Sequence, residues 1–307
     1  MSRRKIVAIS GSGRTGSTLL SLLLTQHSSV FNLGQLRDLW SARLADAPCT
    51  CGLPLSSCPV YAPVVREVFG DAPSEALHEM RQSMKAFFAD AARARDWSAP
   101  RRTASLAQRH AAFLGRLEAV LDAVQAASGA TYFVDASKSP EMALALSLLP
   151  QSDTFVLNLV RDPRAIAVSW HKRRGGALAG WEFSRIWAWR QRVLTDWSRG
   201  LGGQFMQVRY EDFATTPCAT VERIQAWAGF APTPDLFDVD GRALIAWENQ
   251  HLYPPANERV LAERATTVTI APAEDWRDRR HWRQHALALL ATFPHGGRYK
   301  RHSETGR

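Results

Sequence analysis

The stretch Gly11-Ser12-Gly13-Arg14-Thr15-Gly16-Ser17-Thr18 constrains the fold more than any other. It follows a β-branched apolar run, Ile6 to Ser10, which reads as a buried strand. It opens a leucine-rich run, Ser17 to Gln26, which reads as a helix stopped by His27-Ser28-Ser29. A glycine loop in that context wraps an anion in backbone N–H groups. The helix dipole adds positive charge, and small residues let the backbone come close. The bland alternative is a plain tight turn; the complete strand, loop and helix favours phosphate.

The loop fits G-x-x-x-x-G-x-T but departs from nucleoside-triphosphatases, which place Lys where Ser17 stands. That lysine reaches the β- and γ-phosphates, and without it a triphosphate is poorly held. Arg14 lies inside the loop instead, with a planar fork suited to phosphate or sulfate oxygens. The loop therefore indicates an anion more strongly than it indicates ATP hydrolysis.

Further apolar runs read as strands at Val30–Leu33, Thr131–Val134, Thr154–Val160 and Phe205–Arg209. Pro163 is placed for the first turn of a helix running past Trp170, and Pro217 to Ala228 reads as another. Residues 48–63 carry five Pro or Gly and read as a loop. From about 73 to 128 the chain divides near Ser98-Ala99-Pro100 into two helices. Strands alternating with helices imply an α/β fold with a parallel central sheet covered on both faces. We expect one domain over 1–307 with a helical insertion at about 64–130. The part after about 241 is Arg- and Trp-rich and less regular.

Three more motifs fall at strand ends, where open α/β sheets bind ligands. Arg161-Asp162-Pro163 is followed by Ser169 on the next helix, so Arg161 and Ser169 can converge on one anion. Alone, that motif is a helix start with Asp162 as N-cap. Tyr210-Glu211-Asp212 follows the last strand; alone, it reads as a core aromatic with Glu211-Asp212 capping the next helix, a reading compatible with a ligand role for Tyr210. Asp135-Ala136-Ser137-Lys138 ends the middle strand, and Lys138 is a candidate for stabilising developing negative charge.

Arg14-Thr15-Gly16-Ser17-Thr18 resembles the 5′-phosphosulfate loop of sulfotransferases that use 3′-phosphoadenylyl sulfate (PAPS). The resemblance implies the P-loop-like sulfotransferase fold, with Gly13, Arg14, Thr15, Gly16, Ser17 and Thr18 around the 5′-phosphosulfate. It implies Arg14 on the bridging and sulfuryl oxygens, Arg161 and Ser169 on the 3′-phosphate, and Tyr210 beside the adenine. Lys138 stands where bacterial members often show Asp-Ser-Ser-Lys. The Cys49 to Pro59 segment, the stretch His251 to Asn257 with Arg259, and Glu274-Asp275-Trp276-Arg277 resemble bacterial members as well. The resemblance implies that the C-terminal part closes over the 3′-phosphate.

Transfer to a hydroxyl requires a general base. Many relatives place Glu after the glycine of the second strand; this chain has Gly34-Gln35, and Gln takes no proton at neutral pH. Asp38, one helical turn on, and Asp135 are the leading candidates, followed by His27. The expected activity is transfer of the PAPS sulfuryl group to an acceptor hydroxyl of a small molecule, glycan or phenol, with no metal required. Two alternatives stay open. One is an inactive sulfotransferase-like protein that binds a nucleotide or glycan, which Gln35 keeps in play. The other is a P-loop small-molecule kinase with Asp135 or Asp162 on Mg²⁺.

Cys49, Cys51 and Cys58 supply three zinc ligands with the fourth missing locally, so reduced thiols or one local disulfide is the expectation. The net charge of +9 favours anionic partners. No zinc-finger spacing or RNA-binding aromatic signature accompanies it, so nucleic acid is not expected. No apolar stretch reaches about 18 residues, and the run after Ser2-Arg3-Arg4-Lys5 is too short for a signal peptide. A cytoplasmic location is expected. The tryptophans at 181, 187, 189 and 197 read as helix packing before acceptor stacking. Oligomeric state is not encoded in any of these features.

Overall fold

Central strand β1 spans Arg4–Gly11, and its side chains alternate between two apolar layers. Ile6 and Ala8 face one core, Val7 and Ile9 the other. All four are essentially inaccessible. Burying an Ile or Val side chain contributes about 1.5–3 kcal/mol. That two-sided burial explains the absence of polar alternation in the run.

The computed structural model describes residues 3–94, 96–175, 178–255 and 263–293. The other strands are β2 (Val30–Asn32), β3 (Tyr132–Asp135), β4 (Ser152–Val160) and β5 (Phe205–Arg209). They form one parallel sheet in the order β2-β3-β1-β4-β5. β1 is therefore central, and every strand delivers its carboxyl end to the same edge. Helices α1 (Ser17–Leu24) and α11 (Pro217–Ala228) cover the Val7/Ile9 face. The Ile6/Ala8 face is covered by α2 (Leu39–Leu44), α3 (Tyr61–Phe69), α4 (Ser74–Ala94), α5 (Pro100–Arg109), α6 (Ala111–Ser128) and α7 (Pro140–Ser147). The long helix α9 (Ala179–Leu201) adds Val193, Leu194 and Trp197 to this core. It also packs on α8 (Pro163–Arg174) and α12 (Trp282–Thr292). The short helix α10 (Tyr210–Thr215) follows β5, and a two-stranded ribbon pairs β6 (Ala243–Leu244) with β7 (Thr267–Val268).

The expected parallel sheet is present, with strand bounds within two residues of the sequence reading. The helical segment differs. Three helices, not two, fill 74–128, and the second break falls at His110 rather than at a Gly or Pro. His110 Nε2 meets Asp90 Oδ2 at 3.0 Å, so tertiary pairing marks that break. The expected loop 48–63 ends early, because α3 starts at Tyr61 and carries Pro63 in its first turn, where a missing N–H costs little.

One buried cation ties sheet to helices. Arg4, 3% exposed at the start of β1, pairs with Glu118 and Asp122 of α6. Desolvation pushes the Glu118 carboxyl up from its ordinary value, and the Arg4 charge partly offsets it. Trp187 is buried against Val160 and Ile166, and Trp197 meets Trp97 edge-on at 5.3 Å. These tryptophans are packing residues. Among the described residues no helix is long and apolar enough to cross a membrane.

Candidate functional site

The glycine loop leaves β1 between the ends of β3 and β4. Its backbone turns through the left-handed region at Arg14 (φ 71°) and at Gly16 (φ 77°), the N-cap of α1. Thr15, fully buried, donates its hydroxyl to Ser12 O at 2.9 Å and braces the turn. Ser17 is buried at the first turn of α1. Space for the loop is tight: a Cβ at Gly13 would lie 3.1 Å from the Trp170 ring, and one at Gly16 3.2 Å from the Tyr210 ring.

The second motif reaches the first. Asp162 caps α8, accepting from Arg164 N at 2.8 Å, as the helix-start reading expects. The same helix start aims Arg161 and Ser169 at the loop. Arg14 Nε donates to Ser169 Oγ at 2.9 Å, and Arg161 Nη1 donates to Arg14 O at 2.9 Å. Tyr210 lies with its ring 4.1 Å from the Arg161 guanidinium, a cation–π contact, rather than in the core. Arg14, Arg161, Ser169 and Tyr210 thus form one cluster against Gly16. Several buried polar atoms of this cluster and its flanks have no hydrogen-bond partner among the described residues: Ser12 Oγ, Arg161 Nε, Trp170 Nε1 and Arg190 Nε. Burial leaves these polar atoms closed to solvent as well.

The end of β3 builds the other side. Lys138 is a non-glycine residue at φ 56°, held by its N–H to Ile9 O at 3.0 Å. Its ammonium donates to Ala136 O at 2.9 Å. Desolvation, helped by Arg37, pushes the Lys138 ammonium down to about 7; Asp135 and Asp38 pull it up, and Arg190 adds to the depression. Asp135 is 1% exposed, and its Oδ1 accepts from Leu36 N, Ser137 N and Ser137 Oγ at 3.0, 3.2 and 2.6 Å. Burial pushes its carboxyl up to about 6 against those donors. Asp135 therefore pins the β2–α2 turn to the end of β3. Asp38 lies in that turn, partly exposed, with Oδ2 3.5 Å from Arg37 Nε. Gln35 precedes it, 5% exposed.

His27 stands apart. It precedes β2, at the amino edge of the sheet, and its Nδ1 pairs with Ser29 Oγ at 2.7 Å. It takes no part in the cluster. Two cations missed in the sequence do. Arg190 of α9 donates Nη1 to Gly11 O at 3.0 Å, and burial lowers its guanidinium to about 10. Arg37 influences both Lys138 and Arg190. Neither belongs to a motif; each is one Arg among many on a helical or turn segment. The Glu274–Arg277 segment packs beside this region: Trp276 joins Ala165 and Val168 of α8, and Lys172 pairs with Asp275. Asn257 and Arg259 lie outside the described residues.

A glycine loop without its lysine, on the central strand of a parallel sheet and facing a strand-end Arg, defines the P-loop-like class of α/β proteins. Within that class, the profile described as "Sulfotransferase family" matches residues 7–235. The chain belongs to the sulfotransferase family. No curated protein matches it. Among solved structures it is similar to the sulfotransferase domain from the Synechococcus PCC 7002 olefin synthase. That match has 18% identity, covers 95% of this chain and 96% of that chain, and has a TM-score of 0.48. The sulfotransferase domain from the curacin biosynthetic pathway shows 16% identity, 93% and 97% coverage and a TM-score of 0.47. Sulfotransferase STF9 from Mycobacterium avium shows 16% identity, 86% and 76% coverage and a TM-score of 0.46. The family assignment rests on the profile match.

Proposed function

We propose that this sulfotransferase uses PAPS and transfers its sulfuryl group to an acceptor hydroxyl. The observation that carries the reading is the contact chain from Arg161 through Arg14 to Ser169, which joins two anion motifs far apart in sequence. A nucleotide with phosphates at both its 3′ and 5′ positions suits such a pair.

In this reading the loop N–H groups with Ser17 and Thr18 hold the 5′-phosphate, Arg161 and Ser169 hold the 3′-phosphate, and Tyr210 flanks the base. The acceptor oxygen attacks sulfur as the bond from sulfur to the bridging oxygen breaks, and adenosine 3′,5′-bisphosphate departs. Arg14 and Lys138 meet the charge that grows on the leaving oxygen. Asp38 takes the acceptor proton, because its side chain is partly exposed, though Oδ2 is buried, while Asp135 is buried and already accepts three bonds at Oδ1. No metal enters this step, and cytoplasmic action is consistent with it. The Asp38→Asn variant is expected to lower kcat by about 10²–10⁴ and leave bisphosphate binding intact. An unchanged kcat removes Asp38 from the mechanism.

Thermal unfolding provides the direct test. Adenosine 3′,5′-bisphosphate at about 100 times its Kd stabilises by about 2.7 kcal/mol, or about 4 °C in Tm for a chain of 307 residues. Arg161→Ala is expected to abolish most of that shift. A shift with ADP–Mg²⁺ alone favours the kinase. A bisphosphate shift with no turnover of labelled PAPS favours the binding protein that Gln35 keeps open.

A further inference from the structure

We propose that Cys49, Cys51, Cys58 and His251 bind a structural zinc ion that fastens the loop 47–58 to the segment 250–253. Their ligand atoms all lie within 4.8 Å of one another. Cys58 Sγ is 3.8 Å from Cys49 Sγ, and His251 Nδ1 is 3.3 and 3.9 Å from the Cys58 and Cys49 sulfurs. Tetrahedral zinc with ordinary bond lengths sets two sulfurs about 3.8 Å apart and sulfur and nitrogen about 3.6 Å apart. A disulfide would need about 2.05 Å, and all three cysteines are free. The sequence supplied three ligands and no fourth; the fold brings the fourth from 193 residues beyond Cys58.

The surroundings are built for a closed site. Cys49, Cys58 and His251 are buried, and Cys51 is partly so. Three thiolates and one imidazole complete four-coordination, leaving no position for a substrate, which is the mark of a structural site. The loop turns tightly, with Gly52 N donating to Cys49 O and Cys49 N to Leu53 O. Thr50 N donates to Leu252 O at 2.9 Å, Thr50 Oγ1 to Gln250 O at 2.5 Å, and Leu252 N to Thr50 Oγ1 at 2.8 Å. Phe31 stacks on the His251 ring at 6.1 Å and fixes its plane. Binding replaces three thiol protons, released to solvent, with one zinc ion.

The site reaches the functional edge through Tyr253. That residue follows His251 by two, donates its hydroxyl to Leu33 O at 2.7 Å, and its ring would lie 3.5 Å from a Cβ placed at Gly34. Gly34, Gln35 and Asp38 lie in the turn so supported. The zinc therefore anchors the turn that carries Gly34, Gln35 and Asp38, whether or not the PAPS reading holds.

The test is metal analysis of the full chain, expressed with added zinc and purified without chelator. About one zinc per chain is expected, falling at least about tenfold in Cys58→Ser and His251→Ala. If those variants fail to fold, Cys51→Ser alters a partly exposed ligand, and wild-type protein expressed with Co²⁺ is expected to show tetrahedral thiolate–cobalt absorption. A wild-type chain with less than about a tenth of an equivalent of metal overturns the proposal, as does a Cys49–Cys58 disulfide. Zinc that survives in the folded Cys58→Ser and His251→Ala variants overturns it too.

Discussion

Replacing Lys138 with Met is expected to lower kcat/KM for sulfuryl transfer by about 10²–10³, the usual cost of losing one donor aimed at developing negative charge. The geometry at the end of β3 is unusual for a lysine. A left-handed backbone at φ 56° and a short tether to Ala136 O hold the ammonium at the end of β3. Desolvation first, then Arg37 and Arg190, lower it to about 7 against the pull of Asp135 and Asp38. Lysine is cationic below its pKa. Activity that uses the cation is therefore full below about pH 7 and falls about tenfold per unit above it, in the kcat/KM profile of the free enzyme. Lys138→Arg keeps the charge at every accessible pH and moves that alkaline limb upward. Stability runs the other way. Between about 7 and 10.5 the unfolded chain holds the lysine proton and the folded chain does not, so stability rises with pH across that window. Met at 138 removes the rise. A Lys138→Met variant with an unchanged pH profile and modest loss would reduce Lys138 to a structural residue.

How much of this was written in the sequence depends on what encoded each feature. β5 and α11 were legible to the residue, because apolar runs and Pro217 mark them locally. The loop, Arg161, Ser169 and Tyr210 were legible because strand ends place them at one edge. The break at His110 was not, since its cause is a partner twenty residues away. Nor was α12: Trp282, Leu289 and Leu290 are exposed, so its apolar residues mark no single buried stripe. Arg37 and Arg190 carry charge into the site without any motif, and only packing selects them from the other arginines. His251 shows the same limit most clearly. Three close cysteines read as reduced thiols or a local disulfide for want of a fourth ligand, and no spacing rule points 193 residues along the chain to His251. Asp135 shows the reverse case: its place at a strand end suggested chemistry, while its three donors assign it to holding the β2–α2 turn.

Gly11→Ala is expected to destabilise the chain by about 3–5 kcal/mol, seen as a lower urea midpoint. The reason lies in β4 rather than in any ligand. Gly11 has φ 113°, and a Cβ there would fall 2.4 Å from Leu159 O. That oxygen belongs to the strand paired with β1, so relief requires the two central strands to part. Gly129 serves as the control: φ 68°, open space, and an expected cost near 1 kcal/mol for Gly129→Ala from backbone strain alone. The difference between the variants isolates the clash; equal losses would show that β1 and β4 yield. Gly13 and Gly16 are crowded by protein as well, through Trp170 and Tyr210. The glycines of the loop thus make room first for neighbouring strands and rings. A glycine loop after a strand is on that account weaker evidence of phosphate than its spacing suggests. The proposed anion reading stands instead on Arg14, Arg161 and Ser169.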